Sequence, residues 1–216
     1  MKAALALALL LPCLALAANP HSSATQTWAI QPAQSQVQFS VRKFWIAHVR
    51  GTFTHLQGSL RRIDTPLGVD LAEVHAHIDV TNLVTDSPRH TARVLAPEFF
   101  DAVRYRHILF ASDPFPLDEL VAGGPLRGTL LLHGMARSVT FALQPSECPH
   151  QPLGCMLRVR GTISRSAFGM DAWRGLVGDE VKLELGIVLR TSQNTSPPDP
   201  PPHSGAYGRP ISEQGD

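Results

Sequence analysis

The sequence predicts an all-β fold of about eight antiparallel strands that bury one shared apolar face. Apolar and polar residues alternate with a period of two, and turn-forming residues separate the alternating segments. Such alternation is typical of strands that are apolar on one face and wet on the other. The clearest segments are residues 36–42, 73–81, 126–133, 138–143, 158–165 and 180–190.

Three weaker segments, at residues 47–53, 56–63 and 107–112, complete the predicted set of strands. Turn signals lie at residues 65–68, 123–125 and 134–137, where glycine or proline interrupts the alternation. Antiparallel strands with one apolar face bury it either as a two-sheet sandwich or by closing into a barrel.

One segment departs from the strand pattern. Ser87 followed by Pro88 has the residue types of a helix cap and a first helical position. The helix should end before Pro97, because the residue ahead of a proline disfavours helical geometry. We therefore expect one short helix between strands, placed to cover one end of a barrel.

The first 18 residues predict a secretory signal peptide. Lys2 precedes an apolar stretch at residues 3–16, and Ala15-Leu16-Ala17 matches the small-residue cleavage pattern. The apolar stretch is shorter than the roughly 20 residues of a spanning helix. The expected location is periplasmic or extracellular, with residues 19–190 as a single domain.

The composition changes near Thr191. Residues 191–216 are rich in proline and nearly devoid of apolar side chains, so they cannot bury enough surface to offset the entropy of ordering. We expect a disordered tail. The net charge of +1, with basic residues scattered along the chain, argues against nucleic acid as a partner.

Cys148 and Cys155 remain once the predicted signal peptide, with Cys13, is removed. An even pair this close in an exported protein predicts a disulfide across a hairpin loop. Two free thiols are the alternative. A metal pair is disfavoured, because no nearby His or Cys completes a tetrahedral set.

No catalytic motif or metal site is predicted. His75 and His77 share one face of a strand, but that face is the polar one and Asp79 is the only obvious third ligand. The sequence contains no G-x-S-x-G, H-E-x-x-H, P-loop or G-x-G-x-x-G motif. We expect no cofactor, and a binding protein rather than an enzyme.

Six segments, in order and at familiar spacing between Trp28 and about Leu189, resemble the YceI-like polyisoprenoid-binding family. The helix segment, His90 to Val94, and the pair Tyr105-Arg106 depart from the pattern of that family. The six are Trp28-Ala29-Ile30 with Ser35 to Val41, Val49 to Phe53 with Gln57 to Leu60, Glu98-Phe99-Phe100-Asp101, Ile108 to Ser112, Leu126 to Arg137, and Ser164 to Met170.

This resemblance implies an eight-stranded lipocalin-like barrel, exported, with an isoprenoid or fatty chain in its lumen. The small inward residues Ala76, Gly128 and Gly161 predict vacant space there, although a packed core would show the same alternation. We predict lining by Phe39, Val41, Phe53, Ile78, Phe110, Leu130, Leu132, Phe141 and Ile163, with Trp45, Phe100, Phe168 and Trp173 near the ends.

The predicted function is to hold a polyisoprenoid, quinone or fatty amide. The alternatives are a structural or partner-binding barrel with a filled core, and an enzyme acting on a bound lipid. The sequence leaves open whether two copies pair as a homodimer.

Overall fold

The computed structural model describes residues 26–44, 46–66 and 68–191. The predicted signal peptide (residues 1–18), Trp45 and residues 192–216 of the predicted tail lie outside the described residues. Thr191, the first residue of the predicted tail, belongs to the last strand instead, where it pairs with Trp28.

The described residues contain twelve strands, two short α-helices and four 3-10 turns. In chain order the strands and helices are β1 (Thr27–Ile30), β2 (Gln36–Lys43), β3 (Ala47–Phe53), β4 (Leu56–Asp64), β5 (Asp70–Asp79), β6 (Leu83–Thr85), α1 (Pro88–Leu95), β7 (His107–Ser112), β8 (Phe115–Pro116), α2 (Glu119–Ala122), β9 (Gly124–Leu132), β10 (Met135–Leu143), β11 (Met156–Ser164) and β12 (Val177–Thr191).

The sheet closes into a barrel, which decides between the barrel and the sandwich. The order β1-β4-β5-β7-β9-β10-β11-β12 is completed by pairing of β12 back to β1. After a short break, β2 continues the line of β1 and also pairs with β12. In the same way β3 pairs with β2, and β6 pairs with β3. The wall therefore consists of eight antiparallel strands, as predicted, and four of them are interrupted: β1/β2, β3/β4, β5/β6 and β7/β8.

The predicted strands are confirmed, with ends that shift by a few residues. The hairpin between β9 and β10 is tighter than the turn signal at residues 134–137 suggested. Its turn residues are His133 and Gly134, both at positive φ, and the strand resumes at Met135. Two-residue hairpin turns favour this backbone because its twist matches that of the strands.

The two ends of the barrel differ. At the closed end, beside the connections β4–β5, β7–β9 and β10–β11, buried side chains fill the interior. These are Trp28, Leu60, Ala72, Phe115, Leu120, Leu143, Leu157 and Leu189. At the other end, the mouth end, lie the β2–β3 and β9–β10 hairpins, α1 with the segment to β7, and the β11–β12 loop.

Helix α1 confirms the predicted short helix. The His90 backbone N–H donates to the Ser87 side-chain oxygen at 3.2 Å, Pro88 is the first helical residue, and Ala96 ends the helix ahead of Pro97. The cap satisfies one of the backbone donors that a helix start leaves free. The helix is thereby fixed at the mouth end.

The β11–β12 loop is tied down by one buried cation. Arg165 is 4% exposed. Its guanidinium donates to the carbonyls of Met170, Ala172 (2.8 Å), Val177 (3.1 Å) and Gly178 (2.9 Å). Burial lowers the pKa of the Arg165 guanidinium, while the nearby Asp179 carboxylate opposes that shift. A single side chain thus holds the whole loop against the strands.

Asp79 organises the break between β5 and β6. Its carboxylate accepts hydrogen bonds from the Thr81 backbone N–H (2.9 Å) and hydroxyl (2.6 Å), and from Arg106 Nε (2.9 Å). These bonds, the Thr81 hydroxyl above all, lower the pKa of Asp79 to about 2. The bonded, ionised carboxylate stabilises the turn that redirects the chain from β5 into β6.

The predicted disulfide is present in the connection between β10 and β11. Cys148 and Cys155 are bonded, with their Cα atoms 6.1 Å apart. We expect protein lacking residues 1–18 to contain no free thiol, and Cys148→Ser to lower the free energy of unfolding by at most about 2.5 kcal/mol, because so short a loop restricts the unfolded chain little. Thiol titration and denaturant unfolding measure the two effects; two reactive thiols in unreduced protein would contradict the assignment.

Arg165→Met should lower the free energy of unfolding by about 2–4 kcal/mol, since several carbonyls lose their donor. Arg137→Met is the matched control, because Arg137 is exposed and gives the nearby Ala167 carbonyl one hydrogen bond (3.1 Å). We expect that control to stay within about 1 kcal/mol of the parent. If denaturant unfolding gave the same loss of free energy for Arg165→Met and Arg137→Met, the hydrogen bonds from Arg165 to the loop carbonyls would contribute no more than one exposed bond.

Asp79→Asn should be less stable than the parent above pH 4, by about 1–2 kcal/mol. The folded-state pKa of Asp79, about 2, lies below its ordinary value of 3.8. The advantage of the carboxylate is therefore complete above the ordinary value and is lost as the pH falls toward 2. Unfolding free energies of both proteins between pH 6 and pH 2 test this; a difference that stays constant across that range would refute it.

Candidate functional site

An apolar cavity of about 190 Å³ lies inside the barrel and reaches the surface at the mouth end. Its accessible lining atoms are apolar throughout. Inward-facing residues of every long strand contribute to its wall, and the buried side chains of the closed end bound it below. The interior of the barrel is thus a pocket with one opening.

Aromatic rings shape the upper part of this cavity. Phe39, Phe53 and Phe100 form a triangle with centroid separations of 5.7 to 6.2 Å. Phe110 and Phe141 form a second pair at 5.4 Å. Tilted and edge-on arrangements at these separations are favourable for aromatic rings. Phe100 enters from the segment after α1, so the covering segment contributes directly to the cavity wall.

Of the twelve described side chains that were predicted to line the lumen or its ends, eleven line the cavity. They are Phe39, Val41, Phe53, Ile78, Phe100, Phe110, Leu130, Leu132, Phe141, Ile163 and Trp173.

Phe168 differs from the prediction. It is 2% exposed, does not line the cavity, and packs in the core beneath the β11–β12 loop. Its carbonyl oxygen lies 3.0 Å from Nδ1 of His133, a bond that joins this loop to the β9–β10 hairpin. Trp45 lies outside the described residues, so its predicted place stays a prediction.

The prediction omitted one wall of the cavity. Val181, Leu183, Leu185 and Ile187 of β12 all line it. Their signal was present in the sequence, since they alternate with polar residues in the longest periodic segment. The mouth residues Lys43, His90, Arg93 and Arg165 were also missed, because no local pattern brings residues of three distant segments together.

The prediction that Gly128 and Gly161 leave vacant space in the lumen is wrong. A Cβ at Gly161 would lie 2.2 Å from Cδ1 of Phe141, and a Cβ at Gly128 would lie 2.3 Å from the carbonyl oxygen of Ala111. These glycines admit a neighbouring ring and a neighbouring strand instead. Ala76 does line the cavity, whose space results from how the medium-sized side chains are arranged.

The mouth carries the polar side chains of the lining. Lys43 Nζ lies 5.2 Å from the centroid of the Phe44 ring, and the Arg93 guanidinium lies 5.2 Å from that of Trp173. His90 bonds Asp86 at 2.6 Å, a contact that lowers the pKa of the Asp86 carboxyl. The cavity therefore runs from an apolar floor to an opening edged by cationic groups.

Two further carboxylates with lowered pKa values do not line the cavity. Glu73, whose pKa the Arg61 hydrogen bond lowers, lies on the outer wall, and Asp179, lowered by the Ser164 hydroxyl, lies in the β11–β12 region. Within the described ranges, no group of three or more metal-ligating side chains occurs. His77 contacts His107 at 2.8 Å on the outer face, as expected from the strand pattern.

No helix in the described part of the chain is long and apolar enough to cross a membrane.

Several solved structures share this fold, including the following three. BcnA of Burkholderia cenocepacia is 22% identical with a TM-score of 0.57, over 75% of this chain and 99% of that one. A polyisoprenoid binding domain from Saccharophagus degradans is 16% identical with a TM-score of 0.57, over 76% and 98%. A mutant YceI protein of Campylobacter jejuni is 17% identical with a TM-score of 0.54, over 68% and 87%.

At these identities the likeness to solved structures concerns the fold. No curated protein is significantly similar in sequence. The family model described as the YceI-like domain matches residues 28–189. This range covers the barrel from β1 to β12 except for one residue at its start and two at its end. This protein therefore belongs to the YceI-like domain family.

Proposed function

We propose that this protein holds a long apolar molecule, such as a polyisoprenoid, a quinone or a fatty amide, in the lumen of its barrel. The observation that carries the proposal is the incomplete burial of side chains that face into the barrel. Val181, Leu183, Leu185 and Ile187 point into the barrel yet remain only half-buried, because they border the cavity. In a filled core such residues would be fully buried.

The energetics suit reversible binding. Burial of one CH₂ group stabilises a complex by about 0.8 kcal/mol, so a chain of about fifteen carbons gains roughly 12 kcal/mol gross. Association and ordering oppose this by about 4–15 kcal/mol. An engineered apolar cavity of about 150 Å³ binds benzene. The cavity here is larger, about 190 Å³, and its open mouth lets a longer molecule extend beyond the wall.

The orientation of the ligand follows from the lining. Apolar side chains surround the floor and the walls, whereas Lys43, His90 and Arg93 lie at the opening. A chain with one polar end would place that end at the mouth, where it keeps contact with water and with charged groups. The polyisoprenoid binding domain from Saccharophagus degradans, which shares the fold, supports the class of ligand.

A carrier rather than an enzyme fits the polar groups of the cavity. Arg165, a buried lining residue, has its guanidinium occupied by loop carbonyls, and burial lowers its pKa. A general acid or base would need a titratable group free to exchange a proton with the substrate. We propose export to the periplasm or beyond, on the strength of the N-terminal sequence. A homodimer stays a prediction.

Ala76→Leu should abolish retention of lipid while the barrel stays folded, because Ala76 borders the cavity and the larger side chain would occupy it. The matched control is His75→Leu, one residue away on the outer face of the same strand. We expect the control to retain lipid. Mass spectrometry of lipid extracted from each purified protein, paired with its melting temperature, tests the proposal.

Two results would contradict the carrier. One is a parent protein that never carries or takes up an apolar chain. The other is an Ala76→Leu variant that loses about 1–3 kcal/mol of stability through overpacking, as in a core without space.

A further inference from the structure

We propose that the mouth end docks on the surface of a lipid bilayer that contains anionic lipids. This inference rests on the proposed function, since it concerns where the lumen takes up and releases its apolar ligand. The occupant of this surface is the bilayer itself. Exposed apolar side chains around the opening would enter the interface, and cations beside them would contact lipid phosphates.

The exposed apolar side chains are concentrated around the opening. Six of the ten large hydrophobic residues that are exposed in the described part of the chain belong to the mouth end. Ile46, for example, is 88% exposed and Leu176 is 47% exposed. We term these six the apolar rim: Phe44, Ile46, Val103, Met135, Trp173 and Leu176.

Contacts join the segments of the rim. The Phe44 backbone N–H donates to the Leu176 carbonyl at 2.8 Å, which links the β2–β3 hairpin to the β11–β12 loop. The ring of Trp173, in the same loop, lies 6.3 Å from that of Phe99 in the segment after α1. These contacts bring the β2–β3 hairpin, the β11–β12 loop and the segment after α1 together at the opening, whereas singly scattered apolar side chains would need no explanation.

The backbone presents two of these aromatic residues in an unusual conformation. Phe44 has φ of 49° and Trp173 has φ of 60°. Bulky residues rarely adopt this left-handed region, where glycine or asparagine is the usual choice. Strained positions of this kind cluster at functional sites. Exposed aromatic rings held this way match the preference of aromatic side chains for the interface of a membrane.

The charges beside the rim complement an anionic surface. Lys43 and Arg93 lie against the rings of Phe44 and Trp173, and neither forms an ion pair with a carboxylate within the described ranges. Three carboxylates at this end contact basic side chains: Asp86 lies beside His90, Asp171 pairs with Arg174, and Asp101 pairs with Arg104. Glu98, in the segment after α1, forms no ion pair with another residue of the described ranges.

A second copy of this chain fits the rim less well than a bilayer does. Face-to-face contact of two mouths would bring Lys43 and Arg93 of each copy close to the same cations of the other. Like charges brought together in a dry interface repel, whereas anionic headgroups attract polybasic segments. Docking would also let a long chain pass from the acyl region into the lumen without exposure to water.

The experiment measures partition of delipidated protein onto vesicles of phosphatidylethanolamine with phosphatidylglycerol, and onto vesicles of phosphatidylcholine alone. We expect binding to the anionic vesicles that weakens as salt is added, because salt screens the Lys43 and Arg93 charges. Ile46→Asp and Leu176→Asp should each reduce partition at least tenfold. Neither residue lines the cavity. Val69→Asp, at a residue 50% exposed near the closed end, is the matched control and should bind like the parent.

A soluble fluorescent probe, N-phenyl-1-naphthylamine, reports the lumen separately in the same proteins. Unchanged probe binding with lost vesicle binding in the rim variants supports docking. Absence of vesicle binding by the parent, or an equal loss in Val69→Asp, overturns it, as would a parent dimer that the rim variants convert to monomers. A parent that docks but binds no probe would refute the proposed function and leave the docking surface intact.

Discussion

The short pairing of β1 with β12 is the constraint on which the rest of the structure depends. On one side of β1, residues 28–30 pair with residues 189–191 of β12. On its other side, residues 27–29 pair with residues 59–61 of β4. Without the pairing of β12 with β1 and with β2, which continues β1, the sheet would expose two long unpaired edges, which favour aggregation. Closure also gives the sheet an inside, and with it the distinction between lumen and outer wall that every functional argument uses.

Within the closed wall, the two ends have different roles because different side chains fill them. Trp28, Phe115 and their neighbours pack the closed end, so the domain has a core that stabilises it whether or not a ligand is bound. Toward the mouth, paired positions such as Phe141 over Gly161 fix ring orientations without filling the centre. The closed end therefore has a core of its own, whereas toward the mouth many buried side chains also border the cavity.

Cationic side chains and exposed apolar side chains both lie at the mouth. Arg165 donates hydrogen bonds to the loop that carries Trp173, and these bonds hold that loop at the edge of the opening. Lys43 and Arg93 remain available beside exposed rings. An apolar pocket, a cationic edge and an apolar rim thus occur in one place, where a lipid would enter.

The sequence by itself determined the strands, the helix cap and which residues face inward, because alternation and capping are local properties of the chain. Phe39, Phe110 and Ile163 could be placed in the lumen on that ground alone. Only the tertiary structure decided whether space remains between them: Gly128 and Gly161 look vacant in sequence, yet a strand and a ring from elsewhere in the chain occupy those positions. Phe168, with the same apolar character, lies under a loop instead of in the lumen, and the cations of the mouth come from three distant segments. Free volume and the edge of an opening depend on distances between segments, and those distances are set by closure of the barrel.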